Sequence, residues 1–265
     1  MNAPSKTLHP PLLVLLGGAG LDPWIWEPLQ QRLRVPTCAV GHPGARTHFT
    51  LADYVDGAHT QTTAVLVEGQ QVVVVAHSAG GVVGLELASR LKVRLLGMVA
   101  ISAVIPRAGQ AFVSVLPWPQ RLMLKAIMRV VGTRPPKGVL QQELCGGLSS
   151  AHAQQVVERF SPESLSLYEQ PVGPHGPPQA PRLYVELGKD RALDVTLQRR
   201  MAANLGAGET QTLLLGHLPM LEDPAALAAV LEAWLQRHGV PLPTGGPVLH
   251  QSNAHDVPPA HHRPH

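Results

Sequence analysis

The sequence predicts an α/β fold: a doubly wound, mostly parallel sheet with helices on both faces and a helical cap insertion. Three observations predict it. Short runs of valine, leucine and isoleucine recur along the chain, as in strands that helices cover on both sides. Helical patterns lie between these runs, and such alternation is typical of a parallel sheet. One long stretch interrupts the alternation and indicates an insertion.

Six apolar runs are predicted to be buried strands, because each carries aliphatic side chains on both faces. The segments between them place apolar residues at helical spacing. The predicted strands are residues 12–16, 37–40, 71–76, 96–103, 182–187 and 210–215. The predicted helices are residues 26–33, 51–68, 80–91, 194–205 and 224–237.

The alternation breaks between residues 105 and 180, where prolines flank two helical patterns, PWPQRLMLKAIMRVVG and QQELCGGLSSAHAQQVVERF. An insertion after the fourth strand lies over the C-terminal edge of the sheet, where ligands bind in such folds. We therefore predict a core of residues 11–104 and 181–238, with a cap of residues 105–180. Residues 241–265 are rich in proline and histidine and are predicted to form a disordered tail.

Composition narrows the possible functions. Of the 265 residues, 45% are hydrophobic and only 15% are charged, which is enough for one sizeable core. The formal net charge is +3, and no run of lysine and arginine interleaved with aromatic residues indicates nucleic-acid binding. No window reaches the roughly 18 apolar residues that span a membrane, so no membrane partner is predicted.

The cysteines predict neither a metal site nor a disulfide. Cys38 and Cys145 lack the spacing of metal ligands, and both are predicted to be free thiols. Free thiols fit a reducing, cytoplasmic compartment. No cofactor is predicted, and the predicted partner is a small-molecule substrate.

The segment QVVVVAHSAGGVVGLELASRL carries the strongest functional signal. A valine strand enters His77-Ser78 and leaves as an amphipathic helix, which is the setting of a nucleophile elbow. Such a tight turn requires small residues on either side of the serine, here Ala76 and Gly80. The helix start places free N–H groups near a developing anion, with the Ala79 amide as the natural first oxyanion donor. The alternative is that Ser78 only caps the helix.

A serine hydroxyl needs a base, and the base needs an orienting acid. His217 follows the last predicted strand and therefore points to the same sheet edge as Ser78. The loop after the preceding strand offers Asp190, which follows that strand closely, and Asp194, which is placed to cap the next helix. Glu186 lies inside the strand and is the weaker candidate. We predict that Ser78, His217 and Asp190 are catalytic, with Asp194 as the rival acid.

The loop after the first strand is predicted to supply the second oxyanion donor. Gly17 and Gly18 let the backbone turn close to a substrate, and the Ala19 amide follows them. The loop lacks the GxxxxGK[ST] and GxGxxG spacings of phosphate-binding loops. Tryptophans and cap residues indicate an apolar pocket, although each is equally explained by ordinary packing. The predicted pocket residues are Gly18, Trp24, Trp26, His77, Trp118 and Leu218, with Leu122, Met123 and Met128 of the cap beside them.

Four motifs carry a family resemblance: LLVLLGGAGLDPWIWEPL, AHSAGG, LGKDRALD and GHLPMLEDP. In this order they resemble the α/β-hydrolase superfamily, and within it the branch of plant methyl-ester esterases and hydroxynitrile lyases with their bacterial esterase relatives. The resemblance covers about residues 11–238 and is weak in the cap. It implies the triad named above, and the amides of Ala19 and Ala79 as the oxyanion hole.

Several positions depart from that branch. Its members often carry His-Gly where this chain has Gly17-Gly18, so a hydrogen bond that orders the loop is expected to be missing. The lyases place threonine and lysine where this chain has Gly18 and Leu218, which favours ester hydrolysis over cyanohydrin cleavage. The resemblance therefore implies a carboxylesterase that cleaves a small to medium apolar ester through an acyl-enzyme on Ser78. The alternatives are lactone, amide or C–C bond hydrolysis or cofactor-free peroxidation on the same triad, or a non-catalytic ligand-binding relative.

Overall fold

A six-stranded parallel sheet forms the centre of the structure. The structure is a computed structural model, and it describes residues 9–41 and 46–243. The strand order is β2-β1-β3-β4-β5-β6, and helices flank the sheet, which confirms the predicted fold class. From position 244 onward the predicted tail lies outside the described residues. The strands are β1 (Leu12–Leu16), β2 (Thr37–Val40), β3 (Val72–His77), β4 (Leu95–Ile101), β5 (Arg182–Leu187) and β6 (Glu209–Leu213).

The α-helices lie between these strands and after the last one. Three short 3₁₀ turns accompany them, Pro23–Trp26, Lys92–Arg94 and Phe112–Val115. The helices are α1 (Glu27–Gln30), α2 (Leu51–Val65), α3 (Gly80–Leu91), α4 (Trp118–Val131), α5 (Lys137–Leu144), α6 (Ser150–Arg159), α7 (Leu165–Glu169), α8 (Val195–Leu205), α9 (Pro219–Glu222) and α10 (Pro224–Arg237). Within the described residues, no helix is both long and apolar enough to cross a membrane.

The sheet separates two apolar clusters, which explains why β1 is aliphatic throughout and β3 is aliphatic up to Ala76. In β1, Leu12 and Val14 pack into the cluster on one face, while Leu13 and Leu15 pack into the cluster on the other. Alternate side chains of a strand point to opposite faces, so a strand covered twice needs apolar residues at every position. Every residue of β1 and β3 is buried accordingly.

Two predicted elements differ from the structure. The helix predicted at residues 26–33 is a 3₁₀ turn followed by the single turn α1. Pro28 lacks the N–H that a continuous helix needs at this point, so the two pieces do not merge. The last predicted strand is not buried: β6 is an edge strand, and Thr210, Gln211 and Thr212 are exposed.

Between β4 and β5 the chain forms the helices α4 to α7. Ser149 and Ser164 cap α6 and α7 by accepting hydrogen bonds from backbone N–H groups. In α4 only Met128 is buried, and most of its apolar side chains face outward. The carboxyl ends of the neighbouring strands β1, β3, β4, β5 and β6 lie along one edge of the sheet, and the loops that leave them form the candidate site.

Candidate active site

The turn between β3 and α3 holds Ser78 in a strained backbone conformation. Its φ is +51°, in the left-handed region that costs a residue with a side chain roughly 1–3 kcal/mol. Close packing maintains the turn, because a Cβ on Gly80 would lie 2.6 Å from the carbonyl oxygen of Gly17. The methyl group of Ala76, the departure from G-x-S-x-G, is accommodated because Gly84 faces it, and a Cβ on Gly84 would lie 3.0 Å away.

The structure brings the predicted serine, histidine and aspartate into one hydrogen-bonded series. His217 Nε2 lies 3.2 Å from Ser78 Oγ, and His217 Nδ1 lies 2.7 Å from Asp190 Oδ2. The side chains of His217 and Asp190 are almost completely buried. A carboxylate accepts hydrogen bonds, so it fixes the tautomer that carries its proton on Nδ1. Nε2 is then free to accept the proton of the serine hydroxyl.

Asp190 is held by four donors. Besides His217, the Ser102 hydroxyl donates to Oδ2 at 2.7 Å, and the amides of Ala192 and Leu193 donate to Oδ1 at 2.8 and 3.1 Å. Burial raises the pKa of the Asp190 carboxyl, but the hydrogen bonds and the electrostatic interaction with His217 outweigh burial and hold this pKa below its usual value. Asp190 is therefore ionised at neutral pH.

The rival acid has a different task. Asp194 Oδ1 accepts the Leu197 amide at 2.8 Å and caps α8, as its position in the sequence indicates. Glu186 lies on β5 and pairs with Arg199 at 3.6 Å. Neither carboxylate hydrogen-bonds the histidine of the series.

His77 lies in the interior next to His217. Its ring is fully buried, and Nε2–H donates to the backbone carbonyl of His217 at 2.8 Å. Burial and the neighbouring His217 lower the pKa of His77 to about 3, so the ring stays neutral. The residue supports the backbone of His217 and is not among the residues that line the cavity described below.

The loop after β1 passes directly over the nucleophile. A Cβ on Gly18 would lie 2.9 Å from Ser78 Cβ and 3.3 Å from Ser78 Oγ, so only glycine allows this approach. Within the described residues, the amides of Ala19 and Ala79 make no backbone hydrogen bond, whereas Gly20 N donates to Glu163 Oε1 at 2.8 Å. Two backbone donors are thus available beside the serine.

A small cavity of about 40 Å³ adjoins this loop and the start of α3. Leu16, Val40, Val83 and Leu167 supply apolar wall, and Gly18, Ala19 and Ala79 also line it. Sequence reasoning missed its polar end, which Asp22, Arg46, Tyr54 and Glu163 form. No motif joins these four residues, which come together only in the fold.

Most residues predicted to form an apolar pocket lie elsewhere. Trp26 and Leu218 are fully buried in the cluster on one face of the sheet. Trp24 is buried beneath the Arg159 guanidinium, 4.8 Å from the ring centroid. Trp118 is 68% exposed at the start of α4, with Leu122 and Met123 exposed beside it and Met128 packed against the core. Of the predicted pocket residues, Gly18 lines the cavity next to the start of α3.

Other reactive groups are few. Cys38 and Cys145 are buried free thiols, as predicted. Across residues 9–41 and 46–243, no group of three or more His, Cys, Asp or Glu side chains is placed to hold a metal ion.

Known structures with the same fold include several hydrolases. A Paenibacillus extracellular α/β-hydrolase, described as sharing structural and functional homology with a tobacco salicylic acid binding protein, superposes with a TM-score of 0.73 at 18% identity, over 84% of this chain and 98% of its own. An Arabidopsis methylesterase gives 0.67 at 15% identity, over 86% and 99%. A pyrethroid hydrolase gives 0.63 at 20% identity, over 87% and 98%. At these identities the likeness shows a shared fold.

The family is shown by the sequence itself. No curated protein matches it significantly. Residues 13–230 match the model of the α/β hydrolase family, and the chain belongs to that family.

Proposed function

We propose that this chain is a carboxylic ester hydrolase that works through an acyl-enzyme on Ser78. The observation that carries the proposal is the continuous series from Ser78 Oγ through His217 to Asp190 Oδ2, with distances of 3.2 and 2.7 Å. The oriented imidazole supplies the base that a serine nucleophile needs. The strained φ of Ser78 supports it too, since a mere helix cap does not require that conformation.

The chemistry follows from these positions. His217 Nε2 takes the Ser78 proton as Oγ attacks the ester carbonyl, and the imidazolium then protonates the leaving alcohol. Water, activated by the same nitrogen, releases the acid from the acyl-enzyme. Asp190 keeps the tautomer and stabilises the imidazolium. The amides of Ala19 and Ala79 are proposed to bind the oxyanion, where each well-placed donor is worth roughly 3–4 kcal/mol.

The proposed substrate is a small to medium ester. The helices α4 to α7 are consistent with a cap of residues 105–180 on a core of residues 11–104 and 181–238. The aliphatic wall of the cavity supports an apolar group on the ester, as the sequence predicts. Solved structures of the same fold are named as esterases, among them polyneuridine aldehyde esterase.

Substitution of the nucleophile tests the proposal. Ser78→Ala should reduce p-nitrophenyl acetate and butyrate hydrolysis to background, and a fluorophosphonate probe should label the unaltered chain but not this variant. Ser149→Ala is the matched control, because Ser149 only caps α6. It should keep full activity. Equal turnover by Ser78→Ala and the unaltered chain, or no labelling of the unaltered chain, would contradict the proposal.

Lactones and amides of similar size, assayed on the same preparation, separate other chemistries on the same triad. A preparation that is labelled by the probe and cleaves only lactones would keep Ser78 as nucleophile and change the substrate class.

A further inference from the structure

Cap residues hold the loop that carries one of the two proposed oxyanion donors. Glu163 Oε1 accepts the Gly20 amide at 2.8 Å, and Gly20 O accepts the Ser161 amide at 3.0 Å. The Phe160 ring covers the same residue, since a Cβ on Gly20 would lie 2.2 Å from Phe160 Cζ. The cap thus contacts the loop through both backbone polar groups of Gly20 and through its Cα.

Glu163 is itself fixed from several sides. Its Oε2 accepts the Tyr54 hydroxyl at 2.7 Å and lies 3.0 Å from Arg46 Nε. Its backbone carbonyl accepts the Thr133 hydroxyl at 2.6 Å. The side chain is buried, where a carboxylate must be paired and hydrogen-bonded to be tolerated. One oxygen therefore anchors the carboxylate to the core, and the other is directed at Gly20 N–H.

Hydrogen bonds restrict both peptide groups that flank Ala19. The first carries the Ala19 N–H, and its carbonyl, Gly18 O, accepts the Leu21 amide at 3.2 Å. The second carries the Gly20 N–H that Glu163 holds. With both peptide planes held by hydrogen bonds, rotation of the Ala19 amide is restricted. An oxyanion donor is effective only when it is already oriented before the charge develops.

We propose that Glu163 is a positioning residue for the oxyanion hole: it holds the Gly20 peptide so that the Ala19 amide stays directed at the reacting carbonyl oxygen. This inference rests on the proposed ester hydrolysis. It also assigns to the cap a part in catalysis besides substrate selection. Glu163 lies outside the four sequence motifs, yet it holds the loop that carries the Ala19 donor.

Two variants test the role. Glu163→Asp keeps a negative charge beside Arg46 but shortens the side chain by one methylene, so the carboxylate no longer reaches both partners. Glu163→Ala removes the acceptor altogether. Complete loss of a donor costs about 10²–10³-fold in kcat. We expect a loss of about 10- to 100-fold in kcat for both variants, with KM changed less than about twofold.

Glu169 supplies the matched control. It is also a cap glutamate paired with an arginine, Arg129, at 2.8 Å, but it does not contact the loop. Glu169→Asp and Glu169→Ala should keep the kcat of the unaltered chain. Thermal unfolding of all four variants checks that the protein assayed is folded. Because Glu163→Asp keeps the buried charge, it tests the role even if Glu163→Ala does not fold.

Inhibition separates positioning from a merely structural role. An alkyl trifluoromethyl ketone forms a serine adduct that carries the oxyanion, so its Ki should rise by the same factor as kcat/KM falls. Inhibition by butanol, which engages no oxyanion donor, should stay unchanged. Full kcat and ketone affinity in folded Glu163→Asp would overturn the role of Glu163, while the unaltered chain still hydrolyses esters. Inactivity of the unaltered chain would instead overturn the proposed function.

Discussion

Replacing Asp190 by asparagine tests the series with the smallest change of shape. Two backbone amides, those of Ala192 and Leu193, donate to Oδ1, so the asparagine oxygen is required at that position. Its NH₂ group then replaces Oδ2, opposite His217 Nδ1 and the Ser102 hydroxyl. An NH₂ group donates, so the histidine must present an unprotonated Nδ1. Its proton moves to Nε2, which can no longer accept the proton of Ser78.

The expected loss is large because the wrong tautomer removes the base. In serine proteases the corresponding change lowers kcat by about 10⁴-fold. At 1.36 kcal/mol for each factor of ten, this is about 5.4 kcal/mol of transition-state stabilisation. Asp190 here has the same hydrogen bond to a buried histidine, and we expect a loss of 10³–10⁴-fold in kcat/KM for p-nitrophenyl butyrate.

Asp194→Asn is the matched control, because the same substitution four positions later affects only the cap of α8. Asparagine is as good an N-cap as aspartate, so both stability and activity should be close to those of the unaltered chain. Steady-state assays at pH 7 to 9, with circular dichroism as a check of folding, measure both variants. Activity of Asp190→Asn within tenfold of the unaltered chain, or an equal loss in Asp194→Asn, would refute this account of the acid.

Two further changes test the support of the series. Ser102→Ala removes one donor to Asp190, and this should raise the depressed pKa of that carboxyl towards its usual value. A depressed carboxyl pKa stabilises the fold at pH values above the unfolded pKa of about 3.9, and this stabilisation is lost as the pH falls through the folded pKa. We therefore expect Ser102→Ala to lose about 1–2 kcal/mol of unfolding free energy at pH 7 and less near pH 3. Urea unfolding at the two pH values measures this, and an equal loss at both would contradict it. Gly18→Ala places a Cβ 2.9 Å from Ser78 Cβ, and should lower kcat by at least about tenfold while the melting temperature falls only slightly. Unchanged kcat would show that the loop can move aside.

Local patterns predict the fold and the three residues of the series because neighbouring positions determine them. A strand buried on both faces must be apolar along most of its length, as β3 is from Val72 to Ala76, and a tight turn needs small residues such as Gly80 around the serine. Chain order then indicates His217 and a carboxylate after β5, either Asp190 or its rival Asp194, since parallel strands bring their carboxyl ends to one edge. The sequence does not distinguish the edge strand β6 from a buried one, because sheet order is a tertiary property.

The lining of the cavity and the contacts that support the site could not be predicted in the same way. Arg46, Tyr54 and Glu163 come from three separate segments, and no spacing links them. Trp118 is a residue type that often lines apolar pockets, but it lies on the exposed face of α4. The sequence does not predict this, because a helical pattern alone does not determine which face meets the core. Local sequence can predict that the loop lacks one hydrogen bond, because Gly17-Gly18 stands where relatives carry His-Gly. It cannot predict the contact of Glu163 with Gly20, because these residues are far apart in the chain and meet only in the fold.

The distances within the series indicate which part of the site is fixed before substrate arrives. The contact of His217 with Asp190 is short at 2.7 Å, buried, and supported from behind by His77. The contact of His217 with Ser78 is longer at 3.2 Å. Such contacts tighten in the Michaelis complex, when the hydroxyl turns towards the carbonyl. Ser78 and Ser102, whose φ is +37°, both have strained backbones at this sheet edge. Such strain persists only where the surrounding structure stabilises it, so part of the folding energy of the core maintains the alignment of base and acid. In the proposed mechanism, the protein thus holds the imidazole in place and leaves the serine hydroxyl to complete the geometry during the reaction.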